Sequence, residues 1–151
     1  MPIVTTSVEL PGLTAEDVWP TLVDFARYPD LMEDVVSVEI LEQGETTMLS
    51  AWKVLLNGSE FTWEERDHLE PPFLIRFDQT DGDLDVWNGS WQLDSSGAVL
   101  VARLTVKFDI GIPSMSEILD PIGERAIRAN SIQMLNAVRA IASSRAKETA
   151  Q

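Results

Sequence analysis

Two kinds of stretch alternate along the chain. One is short, strand-like and bounded by turn signals; the other carries apolar residues at helical spacing. Residues 3–10 (IVTTSVEL) are of the first kind. A helix is expected next, with Thr14 as N-cap and Asp17 three residues on in the manner of a capping box. Its buried face takes in Val18, Trp19, Leu22, Val23 and Phe25 or Ala26. It is predicted to end near Tyr28-Pro29-Asp30, because the residue before a proline disfavours the α region. A short turn over Asp30–Asp34 precedes six strand-like segments: Val35–Gln43, Thr47–Leu56, Glu60–Leu69, Phe73–Thr80, Leu84–Leu93 and Ala98–Ile110. Asn57-Gly58 is the strongest hairpin signal between them, with further turns at Gly44, Pro71-Pro72, Asp81-Gly82 and Ser95–Gly97. A short helical piece, Ser114–Leu119, leads to Asp120-Pro121, read as N-cap and first helical residue. No further proline follows, so a helix of roughly 27 residues and about 40 Å is expected to reach Lys147. Its apolar stripe runs through Ile122, Ala126, Ala129, Ile132 or Gln133, Leu135, Val138, and Ile141 or Ala142.

Successive strands joined by short turns make an antiparallel meander, and the absence of βαβ alternation argues against a parallel sheet. The long helix cannot bury its stripe alone. The fold class is therefore α+β: a curved antiparallel sheet wrapped around the C-terminal helix, with an internal apolar cavity where the two surfaces fail to match. Residues 1–151 are expected to form a single ligand-binding domain, since 151 residues suffice for one core.

Composition narrows the chemistry. Apolar residues make up 44% and charged residues 24%, a globular balance. The formal charge is 11 − 25 = −14, which should repel nucleic acid and anionic membrane surfaces. No run is apolar enough to insert into a membrane, and the first residues lack a secretory pattern, so a cytoplasmic location is expected. With no cysteine and one histidine, neither a disulfide, a thiolate nucleophile nor a transition-metal site is expected. No GxGxxG, P-loop, GxSxG or calcium-loop spacing occurs, and no cofactor is expected.

Several segments carry a family likeness. They are Val18-Trp19 through Tyr28-Pro29-Asp30-Leu31, Val38-Glu39-Ile40-Leu41, Phe61-x-Trp63, Gly89-x-Trp91, and Arg128-x-Asn130-Ser131-x-Gln133-Met134. In order and spacing, over nearly the whole chain, the sequence resembles the START-like, helix-grip (SRPBCC) superfamily, in its polyketide cyclase/aromatase branch. The resemblance implies a helix-grip fold and a hydrophobic pocket. It also implies an arginine inside the cavity, and Arg66 stands near that strand position. Ring closure of a poly-β-ketone is an intramolecular aldol reaction, and a fixed guanidinium would stabilise the developing oxyanion. The family's acidic residue after the first helix corresponds to Asp34, which would shuttle protons; the tyrosine that follows it in the family is Val35 here.

Strand alternation sets a competing expectation. If Phe61 and Trp63 face inward, so do Glu65, Asp67 and Leu69, and Arg66 points outward to pair with Glu64 or Asp67 unless a β-bulge intervenes. His68 shares the parity of Arg66 and reads as a base or as a solvated side chain. Five tryptophans against one tyrosine supply large flat surfaces. Trp19 and Trp91 read as structural; Trp63 and Trp87 read as pocket wall. Tyr28, Val35, Phe77 and Phe108 complete the expected apolar lining, with Asn130 and Met134 contributed by the long helix. Arg125, Arg128 and Arg139 share a broad helix face, suited either to salt bridges or to an acyl carrier protein.

Three functions remain in view. The first is a polyketide aromatase/cyclase that folds its substrate for aldol cyclisation and dehydration, with Arg66 and Asp34 as catalytic residues. The second is a non-catalytic carrier of a small hydrophobic ligand such as a lipid, quinone or isoprenoid. The third is an interaction module with no dedicated ligand.

Overall fold

The computed structural model describes residues 2–149. Its elements are β1 (Ile3–Leu10), α1 (Ala15–Leu22), a 3-10 turn at Phe25–Arg27, α2 (Tyr28–Leu31), β2 (Val35–Gln43), β3 (Thr47–Leu56), β4 (Ser59–Glu70), β5 (Leu74–Gly82), β6 (Val86–Asp94), β7 (Leu100–Asp109), a second 3-10 turn at Pro113–Met115, and α3 (Ser116–Thr149). The seven strands form one antiparallel sheet in the order β1-β7-β6-β5-β4-β3-β2. The meander accounts for β2 to β7, and β1 closes the far edge by pairing with β7, Ile3 opposite Lys107 and Leu10 opposite Leu100.

Thr14 caps α1 as its sequence signals. Thr14 Oγ1 accepts from Asp17 N at 3.2 Å, and Asp17 Oδ2 accepts from Thr14 N at 2.9 Å. The helix ends at Leu22, short of the expected Tyr28: Val23 N still donates to the Trp19 carbonyl at 3.0 Å, but Asp24 N reaches only the Thr21 carbonyl, three residues back, at 3.4 Å. Pro29 does not break a helix; it sits in the first turn of α2, where a proline's fixed φ suits the geometry.

The sheet turns a continuous apolar face toward α3. Val4 and Leu10, Trp52 and Val54, Ile75 and Phe77, Trp87 and Trp91, and Ala102 to Phe108 at every second residue are buried. Its curvature passes through Gly89, opposite Phe77 on β5 and Val106 on β7. A Cβ there would stand 1.9 Å from the Thr105 carbonyl oxygen and 2.9 Å from Phe77 Cζ, so only a bare backbone lets the strands close this tightly.

α3 departs from the sequence reading in two ways. It starts at Ser116, so Asp120 and Pro121 lie within it rather than at its cap. Pro121 withholds one N–H from the ladder on the exposed side, where water can satisfy the freed carbonyl. At 34 residues the helix is about 51 Å long. The buried stripe is also rotated from the expected one: Ile127, Asn130, Ser131, Met134, Leu135, Val138 and Ala142 face the sheet, whereas Ala129 and Ile132 are exposed. Two polar residues on the inner face displaced the hydrophobic period by about one position.

Candidate functional site

Inward alternation on β4 carries Phe61, Trp63, Glu65 and Asp67 onto the face toward α3, and the register with β3 pairs Trp63 with Trp52 and Glu65 with Ser50. Trp52 and Trp63 stack with ring centroids 6.0 Å apart and planes 4° apart. Trp87 tilts against Trp63 at 4.6 Å, and Phe77 adjoins Trp87 at 6.4 Å. This aromatic wall, with Glu65 among it and Asn130, Ser131 and Met134 facing it from α3, encloses a cavity of about 20 Å³. That is room for a single water-sized group. The internal apolar cavity expected from the sequence is present and small, because indole rings occupy most of the space.

A wider opening lies one layer out. Between α3 and the ends of β3, β4 and β7, a groove of about 220 Å³ is walled by Leu56, Phe61, Leu84, Phe108, Ile122 and Ile127. On three elements the cavity residue is the next inward position after a groove residue: Phe61 then Trp63 on β4, Phe108 then Val106 on β7, and Ile127 then Asn130 on α3. Groove and cavity are successive layers of one interior. Gly123 lets α3 lie close to β7, since a Cβ there would meet Phe108 Cε2 at 2.8 Å. A more polar recess beside the groove is lined by Asp34, Asn57, Arg125 and Ala129.

The polar interior is carboxylic. Glu65 Oε1 accepts from Trp63 Nε1 at 2.7 Å. Trp52 Nε1 donates to Ser50 Oγ at 2.8 Å, and Ser50 Oγ donates to Asp67 Oδ2 at 2.6 Å. Glu65 and Asp67 are 3% and 0% exposed. Burial, then the hydrogen bond with Asp67 and its charge, push the Glu65 carboxyl well above the usual carboxylate range. Asp67 is raised by burial, an effect its hydrogen bonds to Glu65 and Ser50 oppose. Both shifts favour keeping a proton on the pair, more strongly at Glu65, and Asp67 Oδ1 has no hydrogen-bond partner. Two donors in the same cavity also lack partners: Trp87 Nε1 and Asn130 Nδ2.

The sequence-derived candidates divide between five places. Trp63, Phe77, Trp87, Asn130 and Met134 line the cavity and Phe108 the groove. Tyr28 and Val35 are buried behind the wall. The Tyr28 hydroxyl donates to the Leu22 carbonyl, its ring packs edge-on against Trp52 and Trp91, and burial above all raises its pKa well beyond the usual phenol value. Asp34 lines the outer recess and is tied twice to Gln133: its N–H donates to Gln133 Oε1 at 2.9 Å, and Gln133 Nε2 donates to Asp34 Oδ2 at 3.3 Å. Gln133 is thus bound to Asp34 and is not among the residues that line the cavity.

Arg66 lies on the opposite face of the sheet, where its Nη1 meets Glu42 Oε2 at 3.1 Å. The irregularity between β4 and β5 sets Glu64 opposite Asp81 but Glu65 opposite Gln79, so the extra residue is on β5. β4 keeps its alternation, and Arg66 stays outside. His68 is exposed and Arg128 donates to the Thr5 carbonyl at 3.2 Å. The residues that sequence reasoning passed over are Glu65 and Asp67. Their parity signalled an inward position, but they counted only as an obstacle to Arg66.

A family model described as polyketide cyclase / dehydrase and lipid transport matches residues 12–135. The ribosome association toxin RatA of Vibrio cholerae serotype O1 is 28% identical over 102 residues, covering 66% of this chain and 71% of that protein. Among solved structures, TTHA0849 from Thermus thermophilus aligns with a TM-score of 0.85 and 20% identity over 95% of this chain and 98% of its own. The Zhui aromatase/cyclase from Streptomyces sp. R1128 aligns with a TM-score of 0.81 and 24% identity over 96% and 95%. At these identities the two structures share the helix-grip fold with this chain. Among the described residues no helix is long and apolar enough to cross a membrane, and no group of histidine, cysteine and acidic side chains is placed to hold a metal.

Proposed function

The chain belongs to the polyketide cyclase / dehydrase and lipid transport family, and from that membership we propose that it is an aromatase/cyclase-type enzyme acting on a ketone-bearing, largely apolar chain held between α3 and the sheet. The observation that carries this reading is the buried Glu65 carboxyl lining the tryptophan cavity, directly beyond the apolar groove; burial raises its pKa, which suits it to act as an acid. In aldol closure an enolate carbon attacks a carbonyl carbon, and the new alkoxide needs a proton. Glu65 gives it, and the α-proton that water took up when the enolate formed returns to the Glu65 carboxylate. In dehydration the same acid protonates the departing hydroxyl, and the resulting carboxylate takes the α-proton, leaving water, an alkene and a reprotonated Glu65. The charge of the neighbouring Asp67, together with burial, disfavours a lasting negative charge on Glu65 and so favours return of the proton to it. The groove walls would hold the chain folded, which supplies rate by proximity. An acyl carrier protein delivering such a chain would meet Arg125 at the adjoining recess, where Asp34 is a second proton-shuttling group.

Carriage of a lipid, quinone or isoprenoid without chemistry is the second reading, favoured by the outward position of Arg66. A ribosomal role, as in the name of RatA, fits less well with a charge of −14.

Binding is the first test. Aromatic or polyketide ligands should quench the tryptophan fluorescence with micromolar-range affinity, on the order of −8 kcal/mol, and Trp63→Ala or Trp87→Ala should weaken them. The second is the product distribution of a reconstituted ketosynthase. Addition of the protein should divert spontaneous shunt products to one cyclised product, and Arg66→Ala should retain that effect. An unchanged distribution together with ligand binding would establish the carrier; no binding by any ligand class would remove both readings.

A further inference from the structure

We propose that the inner cavity is a specificity site for one neutral carbonyl oxygen, received by the indole N–H of Trp87 and the side-chain amide of Asn130, and that it excludes carboxylates. The proposal rests on the reading of the adjoining groove as the place where the apolar body of a ligand lies. Both donors belong to residues that line the cavity, and neither has an acceptor. Trp87 is 6% exposed and Asn130 5%. A buried donor left without a partner is disfavoured by about 1–3 kcal/mol, so two of them on residues that line one small space point to a ligand acceptor there.

The size of the space sets what that acceptor is. About 20 Å³ admits one oxygen-sized group and no ring or branched head. The carbon skeleton must then stay in the groove of about 220 Å³, whose lining next to the cavity is Phe61, Phe108 and Ile127. Charge sets the rest. Glu65 lines the cavity and Asp67 lies behind it, and no cationic side chain is among the lining residues. A ligand carboxylate entering here would bring a third acidic group into an apolar shell with no counter-charge. A ketone or quinone oxygen accepts two N–H bonds and brings no charge. The site therefore separates ketones and quinones from fatty acids of the same length and shape, a distinction the apolar groove alone cannot make.

Three naphthalene derivatives of one shape test this: acetonaphthone, which carries a methyl ketone, naphthoate, which carries a carboxylate, and ethylnaphthalene, which has no oxygen. Calorimetric titration of the full chain at neutral pH should rank acetonaphthone about tenfold or more above ethylnaphthalene, with naphthoate weakest. Asn130→Leu and Trp87→Phe each remove one donor and keep an apolar side chain; each should narrow the preference for acetonaphthone over ethylnaphthalene, and the two together should abolish it. On the native chain, the Trp87 indole N–H proton resonance should move on titration with acetonaphthone and stay in place with ethylnaphthalene, an observation that needs no variant to fold. Equal affinities for the three compounds, or an unmoved Trp87 resonance with acetonaphthone bound, would overturn the carbonyl site and leave the groove standing. Failure of all three to bind would overturn the groove as well.

Discussion

Replacement of Glu65 by glutamine is expected to slow ring closure and dehydration by 10²–10⁴-fold, the usual contribution of a positioned acid–base group, and to flatten the pH dependence of stability. Glutamine keeps the shape, the oxygen that accepts from Trp63 Nε1, and an N–H for Asp67; it cannot release a proton. The stability effect follows from linkage. In the unfolded chain Glu65 titrates near 4.3, whereas burial and Asp67 raise it in the folded chain. Its folded form is therefore fully favoured below the unfolded pKa. Between the two values the native state binds one more proton than the unfolded state, and stability declines by about 1.4 kcal/mol per pH unit. Asp67, raised as well, adds to the same slope. Of the groups facing Glu65, only Trp63 opposes the shift, through its one hydrogen bond, and Asn130, Ser131 and Met134 on α3 carry no charge. Urea unfolding of the native chain and of Glu65→Gln across the range from acid to neutral should give curves that diverge as pH rises, the variant staying the more stable. Parallel curves would mean that Glu65 is ionised in the folded protein, and the proton-donor role would fall with it.

Gly89→Ala is expected to destabilise the fold by at least about 3 kcal/mol, at or beyond the upper end of ordinary overpacking. The added methyl carbon cannot be accommodated by a rotamer change, because its nearest neighbour is the Thr105 carbonyl oxygen at 1.9 Å and not a side-chain end. Relief requires β7 to draw back from β6, which disturbs the register that places Trp87 opposite Phe108 and Trp91 opposite Leu104. Gly97 provides the control, since a Cβ there has no neighbour closer than 4.0 Å; Gly97→Ala should change stability by no more than about 0.5 kcal/mol. The comparison is the denaturant midpoint at constant slope. A loss below about 1 kcal/mol at position 89 would show that the sheet bends elsewhere.

The elements were legible where local chemistry is decisive. The Thr14–Asp17 box opens α1, and β1, β2 and β3 occupy the residues their sequence marks. Gly89-x-Trp91 was visible as a motif, but its physical meaning, a backbone passing under a neighbouring carbonyl, emerges only with β7 in place. Long-range features were harder to read. The buried stripe of α3 contains Asn130 and Ser131, and a hydrophobic period looks past such positions to exposed Ala129 and Ile132. On β4 the alternation rule located every side chain, Arg66 outside and Glu65 and Asp67 inside. A buried acid pair is disfavoured on composition alone, and it becomes readable as chemistry only once Ser50, Trp63 and the low-polarity wall around it are known. Cavity size was beyond reach, because whether four indoles line a void or fill it depends on their stacking.

The pairing of β1 with β7 bears on the order in which the chain assembles. Every hairpin from β2 to β7 joins neighbours in sequence, but Ile3 finds its partner only at Lys107. Closing a loop of about a hundred residues is entropically dearer than closing a ten-residue hairpin by about 2 kcal/mol. During synthesis, at about 5–20 residues per second, the first strand has no partner for roughly 5–20 s after it emerges. β1 should therefore dock after the folding barrier has been crossed, with φ-values near zero. Val4→Ala in a stopped-flow experiment should then hasten unfolding and leave the refolding rate where it was. The strand made before the other six would be among the last to be placed, completing a sheet whose other hairpins are already formed.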